Sequence, residues 1–120
     1  KRIFGREVTV GILGDCSKYS SGSTEYRYPA VLDCEIENEV KSFALDSFQA
    51  CGCRDFARID FIICEDGHAH FLEVNTLPGL TETSFLPKSA SCSGYNFEQL
   101  SNQLLLPALD RFNEHVLLSV

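Results

Sequence analysis

Residues 56–76 read F-A-R-I-D-F-I-I-C-E-D-G-H-A-H-F-L-E-V-N-T. Two runs rich in β-branched and aromatic residues, Phe56 to Cys64 and Ala69 to Thr76, flank a polar tetrapeptide. That pattern predicts a β-hairpin. Asp66-Gly67 is the favoured centre of a two-residue type I′ turn, in which both central residues need positive φ. On such a turn Glu65 pairs with His68, Asp60 falls opposite Glu73, and Arg58 falls opposite Asn75. Side chains alternate along a strand, so these four polar groups share one face. Ile59, Phe61, Ile63, Leu72 and Val74 fall on the other, which predicts a core.

The flanking sequence supplies what that core needs. Glu7 to Leu13 alternates and is rich in valine and isoleucine, so it predicts a strand. Residues 16–29 are polar and close on Pro29, which predicts a loop with at most a short strand near Tyr26. Asp33 can cap a helix from Cys34 to Cys51. Ile36, Val40, Phe43, Ala44, Phe48 and Cys51 fall on one side of it, and Gly52 is its stop. Glu35, Glu37 and Glu39 sit in the first turns, where the helix dipole favours anions. Residues 77–95 read as a long loop plus a short helix. Asn96 and Gln99 form a capping box for a C-terminal helix with Leu100, Leu104, Ala108, Phe112 and Val116 inward and a kink or break at Pro107. The expected fold class is α+β, an antiparallel sheet with helices packed on one face.

The chain has 120 residues, which suits one small domain or a piece of a larger one. A 44% apolar content supports a core. Ten basic against seventeen acidic side chains give a net charge of −7, which argues against nonspecific nucleic-acid binding. No run approaches the roughly 20 apolar residues of a membrane span. No leader or lipidation signal is visible, and the start at Lys1 reads as internal. The six cysteines (16, 34, 51, 53, 64 and 92) lie in periodic apolar segments. Reduced, mostly buried thiols of a cytoplasmic protein are expected, against the alternative of a disulfide framework. Cys51 and Cys53 form C-x-C rather than a redox or zinc C-x-x-C. His68 and His70 can share a strand face, but no cysteine pair is spaced to complete a zinc site with them. All three histidines are therefore read as surface or edge residues.

Two carboxylates directly opposite each other destabilise a sheet unless positive charge offsets them or one holds a proton. Arg58 supplies part of that charge. The oxygen-only donors Asp60, Glu73 and Asn75 suit a hard cation such as magnesium far better than zinc. A ligand-free salt-bridge cluster explains the hairpin alone equally well. The continuation Leu77-Pro78-Gly79-Leu80-Thr81 shifts the balance, because a small-residue loop with hydroxyls beside a metal site can present backbone N–H groups to an anion.

Three segments resemble one family. G-R-E-V-T-V-G-I-L-G-D at the start, G-C-R-D-F-A-R-I-D-F at 52–61, and F-L-E-V-N-T-L-P-G-L-T-E-T-S-F-L-P-K at 71–88 are similar to the C-terminal part of D-alanine–D-alanine ligases, which are ATP-grasp enzymes. E-V-N-T-x-P-G followed by T-x-x-S is the specific part of the match. The resemblance implies the C-terminal catalytic lobe of a partial ATP-grasp domain over residues 1–120. It implies that Asp60, Glu73 and Asn75 bind two magnesium ions, or manganese in their place, with Glu73 bridging. Arg58 and the Gly79 backbone would stabilise a developing oxyanion. Ser84 and Phe85 would hold the second D-alanine, and Lys18 would contact phosphate from a loop closing over the site. The implied substrates are ATP and D-alanine, joined through an acyl phosphate for peptidoglycan precursor synthesis, and a homodimer is the assembly allowed for the full-length protein.

The match also has departures. The family's N-terminal domain and most of its central lobe are absent, so the 120 residues alone are expected to be inactive. The segment between Asp15 and Lys18 is shorter than in the family. Two alternatives therefore stand beside the leading reading. One is another ATP-grasp carboxylate–amine ligase, and the other is a degenerate, noncatalytic ATP-grasp module.

Overall fold

The computed structural model describes residues 5–13, 24–27, 32–92 and 94–118. Four strands, β1 (Gly5–Leu13), β2 (Thr24–Arg27), β3 (Phe56–Cys64) and β4 (Ala69–Asn75), form one sheet in the order β2-β1-β3-β4. Every neighbouring pair is antiparallel. Three helices accompany it: α1 (Cys34–Ala50), α2 (Phe85–Cys92) and α3 (Phe97–Leu118). The α+β class expected from the periodicity is the class found.

The β3–β4 hairpin reaches the expected pairing by an unexpected route. Its turn is not type I′. The Gly67 N–H donates to the Cys64 carbonyl at 2.9 Å, and the Cys64 N–H donates to the His68 carbonyl at 3.1 Å. Three residues, Glu65, Asp66 and Gly67, therefore make the loop, with Gly67 alone in the left-handed region at φ 82°. This is the three-residue hairpin in which a turn is followed by a left-handed residue. The longer turn shifts the nearby register, so that Phe61 faces Phe71 and Ile63 faces Ala69. A bulge between Asp60 and Phe61 then leaves Leu72 as an extra residue and restores Ile59 opposite Val74. Leu72 is therefore not a core residue. It is 44% exposed, and the residue that faces Phe61 is Phe71, itself 48% exposed and edge-on to the Phe61 ring with centroids 6.2 Å apart.

The helices divide between the two faces of the sheet rather than sharing one. On the first face Val8, Val10, Ile12, Ile59, Phe61 and Ile63 pack against Val40 and Ala44 of α1. Asp33 stands at the N-cap of α1, but its carboxylate makes no cap bond; its carbonyl accepts the Glu37 N–H at 2.9 Å. The helix stops as expected, with Gly52 at φ 63° and the Cys53 N–H returning to the Phe48 carbonyl at 3.0 Å. On the second face Leu13 packs with Leu86, Ala90 and Leu100 of α2 and α3. Gly11 permits that approach: a Cβ there would lie 2.8 Å from Leu86 Cδ1.

Asn96 and Gln99 form the expected capping box. The Gln99 N–H donates to Asn96 Oδ1 at 2.8 Å, and the Asn96 N–H donates to Gln99 Oε1 at 2.9 Å. The helix then runs unbroken through Pro107. Its inward stripe differs from the expected one. Leu100, Leu104, Pro107 and Arg111 are buried or half-buried, whereas Ala108 is exposed and Phe112 is 64% exposed. Repeated steps of four residues drift about 40° each on a 3.6-residue helix, so Phe112 lies about 120° away from Leu100. Val116 lies outside the described side chains.

Cys34, Cys51, Cys53 and Cys64 are free thiols. Among these four the expectation of mostly buried thiols is not met, since Cys34 and Cys51 are exposed and the other two are half-buried; Cys16 and the Cys92 side chain lie outside the described residues. Burial, and secondarily the neighbouring Cys51, push the Cys53 thiol above its usual pKa. No helix among the described residues is long and apolar enough to cross a membrane.

Candidate active site

The sheet builds the site in two rows. Thr9, Asp60 and Glu73 stand side by side across β1, β3 and β4, and Gly11, Arg58 and Asn75 form the next row. All six lie on the face opposite α1. Gly11 leaves space above β1, where Leu86 and Ser89 of α2 come to rest.

Arg58 is the hub. Its Nη2 donates to Asp60 Oδ2 at 2.9 Å and to Glu73 Oε1 at 3.3 Å. Its guanidinium lies 5.8 Å from the centre of the Phe85 ring, a cation–π contact. Arg58 Nε is buried and has no hydrogen-bond partner among the described residues. Asp60 is held from both sides, because its Oδ1 also accepts the Thr9 hydroxyl at 2.9 Å. Glu73 is held from one side and is the open member: its side chain is 62% exposed, against 19% for Asp60.

Asn75 ends β4 and starts the following loop, accepting the Leu77 N–H on its Oδ1 at 3.0 Å. The loop closes on a hydroxyl cluster at the start of α2. Ser84 Oγ lies 2.7 Å from Thr81 Oγ1 and accepts the Thr81 N–H at 3.2 Å. Gly79 runs against this cluster: a Cβ there would be 2.9 Å from Ser84 Oγ. The glycine is thus required by close approach and not by its φ, which is not positive.

The structure therefore brings Arg58, Asp60, Glu73 and Asn75 together on one face, with Phe85 over the arginine and Gly79 against Ser84. Lys18 and the shortened segment after Asp15 lie outside the described residues. Two contributors were not anticipated. Thr9 fixes Asp60, and Phe85 touches Arg58 itself. Strand alternation gives the parity of Thr9, but nothing local in the sequence sets the β1–β3 register that places it beside Asp60.

The donor set fits a hard divalent cation. Asp60, Glu73 and Asn75 present only oxygen, two of them negative, and in the structure the Arg58 guanidinium offsets those charges. Phosphate is the natural counterpart of what remains, a planar guanidinium beside a loop of small residues and hydroxyls.

Comparison with known proteins bears on the family and the fold. Residues 6–106 match the family model described as D-ala D-ala ligase C-terminus. A D-alanine–D-alanine ligase of Thermotoga sp. (strain RQ2) is 42% identical over 90% of this chain and 42% of its own. The solved D-alanine-D-alanine ligase of Coxiella burnetii superposes with a TM-score of 0.83 at 27% identity, covering 98% of this chain and 36% of that one. The Bacillus anthracis D-alanine–D-alanine ligase, solved in complex with ATP, gives a TM-score of 0.75 at 30% identity over 96% and 42% of the two chains. The chain thus spans about two fifths of the length of such relatives. The family model matches most of the chain and the fold is shared with solved members, so the chain belongs to the D-alanine–D-alanine ligase C-terminal family.

Proposed function

We propose that this chain is the cation-handling and acceptor-handling part of an ATP-dependent D-alanine–D-alanine ligase, the C-terminal lobe of an ATP-grasp domain. The observation that carries the reading is the opposed pair Asp60 and Glu73, bridged by Arg58, in a chain of this family. In the proposed reaction a D-alanine carboxylate oxygen attacks the γ-phosphorus of ATP. ADP leaves and an acyl phosphate forms. The amine of a second D-alanine attacks the acyl carbon, loses a proton, and expels inorganic phosphate.

Each residue has a part in this proposal. Asp60, Glu73 and Asn75 hold two magnesium ions, with Glu73 shared, and manganese is the substitute cation of the same hardness. Bound cations neutralise charge on the transferring phosphoryl group. Arg58 and the Gly79 N–H face the oxyanion that develops at the acyl carbon. Ser84 takes the acceptor carboxylate, Phe85 packs beside it, and Lys18 contacts phosphate. The Phe85 ring and the Asp60 carboxylate hold Arg58 in place before substrate arrives, so it pays little reorganisation at the moment of reaction. Peptidoglycan precursor synthesis in the cytoplasm is the setting this reaction serves; the full-length protein is the unit expected to be active, and a homodimer is the assembly allowed for it.

The test is ATP-dependent phosphate release by the full-length protein with D-alanine and with other amino-acid pairs. Release with D-alanine and loss of it in Glu73→Gln support the reading. Release only with other pairs would assign a different carboxylate–amine ligase. No release with any pair, and no magnesium-dependent ADP binding, would assign a noncatalytic module.

A further inference from the structure

At the far end of the same hairpin, three side chains of different chemistry converge. One ligand atom each from Cys64, Asp66 and His70 lie within 4.8 Å of one another. The three-residue turn creates this cluster. It shifts the local register so that His70 faces Ile62 and shares a side of the sheet with Cys64. With a two-residue turn and no bulge, His70 would face Ile63 and point to the opposite side. Asp66 is already steadied, since one of its oxygens accepts the His68 N–H at 3.0 Å. Its other oxygen remains for a ligand.

The geometry points to a site for a thiophilic divalent cation, of the zinc or cobalt class, formed by Cys64 Sγ, a ring nitrogen of His70 and an Asp66 carboxylate oxygen. Sulfur, imidazole and carboxylate together select this class and disfavour magnesium. Zinc bonds of about 2.3 Å to sulfur and about 2.0–2.2 Å to nitrogen and oxygen require the three atoms to draw in from their present separation. Asp66 and His70 are exposed and can turn to do so, while half-buried Cys64 anchors the set. Three protein ligands leave a fourth tetrahedral position to water. No cysteine pair is needed. The site is separate from the Asp60–Glu73 pair, because Cys64 is four residues further along β3, about 13 Å at strand spacing. A bound ion would tie β3, the turn and β4 together at this end of the hairpin.

Titration of the full, reduced chain with Co2+ alone tests the assignment. One thiolate-ligated ion per chain is expected, counted by its thiolate-to-cobalt charge-transfer band and the visible bands of four-coordinate cobalt, both removed by added Zn2+. Cys64→Ser abolishes the charge-transfer band, and Cys53→Ser leaves it unchanged. His70→Ala removes a ligand, so it should weaken binding by more than the ~10–100-fold typical of an outer-shell partner. Because His70 is exposed, that variant keeps its fold even if Cys64→Ser does not. Absence of the band up to millimolar cobalt, its survival in Cys64→Ser, or unchanged affinity in His70→Ala each overturns the site.

Discussion

Asp55, just before β3, and Arg111, in the second half of α3, form a two-pronged ion pair: Nη1 to Oδ1 at 2.9 Å and Nη2 to Oδ2 at 2.6 Å. Asp55 holds this pose at φ 68°, a left-handed conformation that costs most L-residues about 1–2 kcal/mol. Its side chain is only 10% exposed. The pair ties down the part of α3 whose Leu105, Leu109 and Phe112 stand in solvent. Asp55→Ala loses two charge-assisted bonds and keeps the backbone cost, so a loss of about 2–3 kcal/mol is expected by urea denaturation. Asp55→Gly should lose less, because glycine accepts that φ freely. Equal losses in both variants would show that backbone conformation contributes nothing here.

The two carboxylates of the candidate site should separate in stability but not in activity. Asp60 accepts from both Thr9 and Arg58, whereas Glu73 is largely exposed and accepts one long bond. Asp60→Asn is expected to cost about 1–2 kcal/mol. Glu73→Gln should fall within about 0.5 kcal/mol of the parent, since it also relieves the repulsion between opposed acids. On the proposed function, each variant of the full-length protein should lose at least about 100-fold in the rate of ATP-dependent phosphate release. Thermal melts paired with phosphate release check this, and a large stability loss in Glu73→Gln would contradict the assigned geometry.

Gly79 and Ser84 should behave as a coupled pair. The Cβ of Gly79→Ala collides with Ser84 Oγ, which is committed to two contacts with Thr81. A cost of about 1 kcal/mol is expected in the parent. Removing the hydroxyl with Ser84→Ala should recover part of it, giving a coupling of about 0.5 kcal/mol or more in a double-mutant cycle. Additive effects would mean that the loop, not Ser84, absorbs the extra methyl group.

Ile59 and Leu72 should differ although both were read as core. Ile59 is fully buried, and Ile59→Ala is expected to cost about 2–5 kcal/mol. Leu72 is the bulged residue, and Leu72→Ala should cost under about 1 kcal/mol. Chemical denaturation of the two variants decides the matter, and a comparable loss for Leu72 would place it back in the interior.

The sequence announced most of the elements, because β-branched runs, Gly52 and the Asn96–Gln99 box act locally. It also placed Asp60 opposite Glu73, but through two departures that offset each other. The turn is one residue longer than Asp-Gly suggests, and the bulge at Leu72 takes up that residue. Bulges answer to packing on both faces, here the meeting of Phe61 with Phe71, which no local pattern reports. The same limit hid Thr9. Its partner lies 51 residues away, across a strand pair whose register is set by the assembled core. The tail of α3 departs from its apparent pattern for a simpler reason: a stripe followed in steps of four winds off the face that a mixture of threes and fours keeps, and Arg111 occupies that face instead of Phe112.

The two irregularities in the hairpin both fall on unpaired residues. Removing one residue from the turn only shortens the loop between Cys64 and His68, and losing Leu72 only makes Phe71 and Glu73 neighbours that still face Phe61 and Asp60. Chain length can therefore change by one at either place without turning the two acids apart.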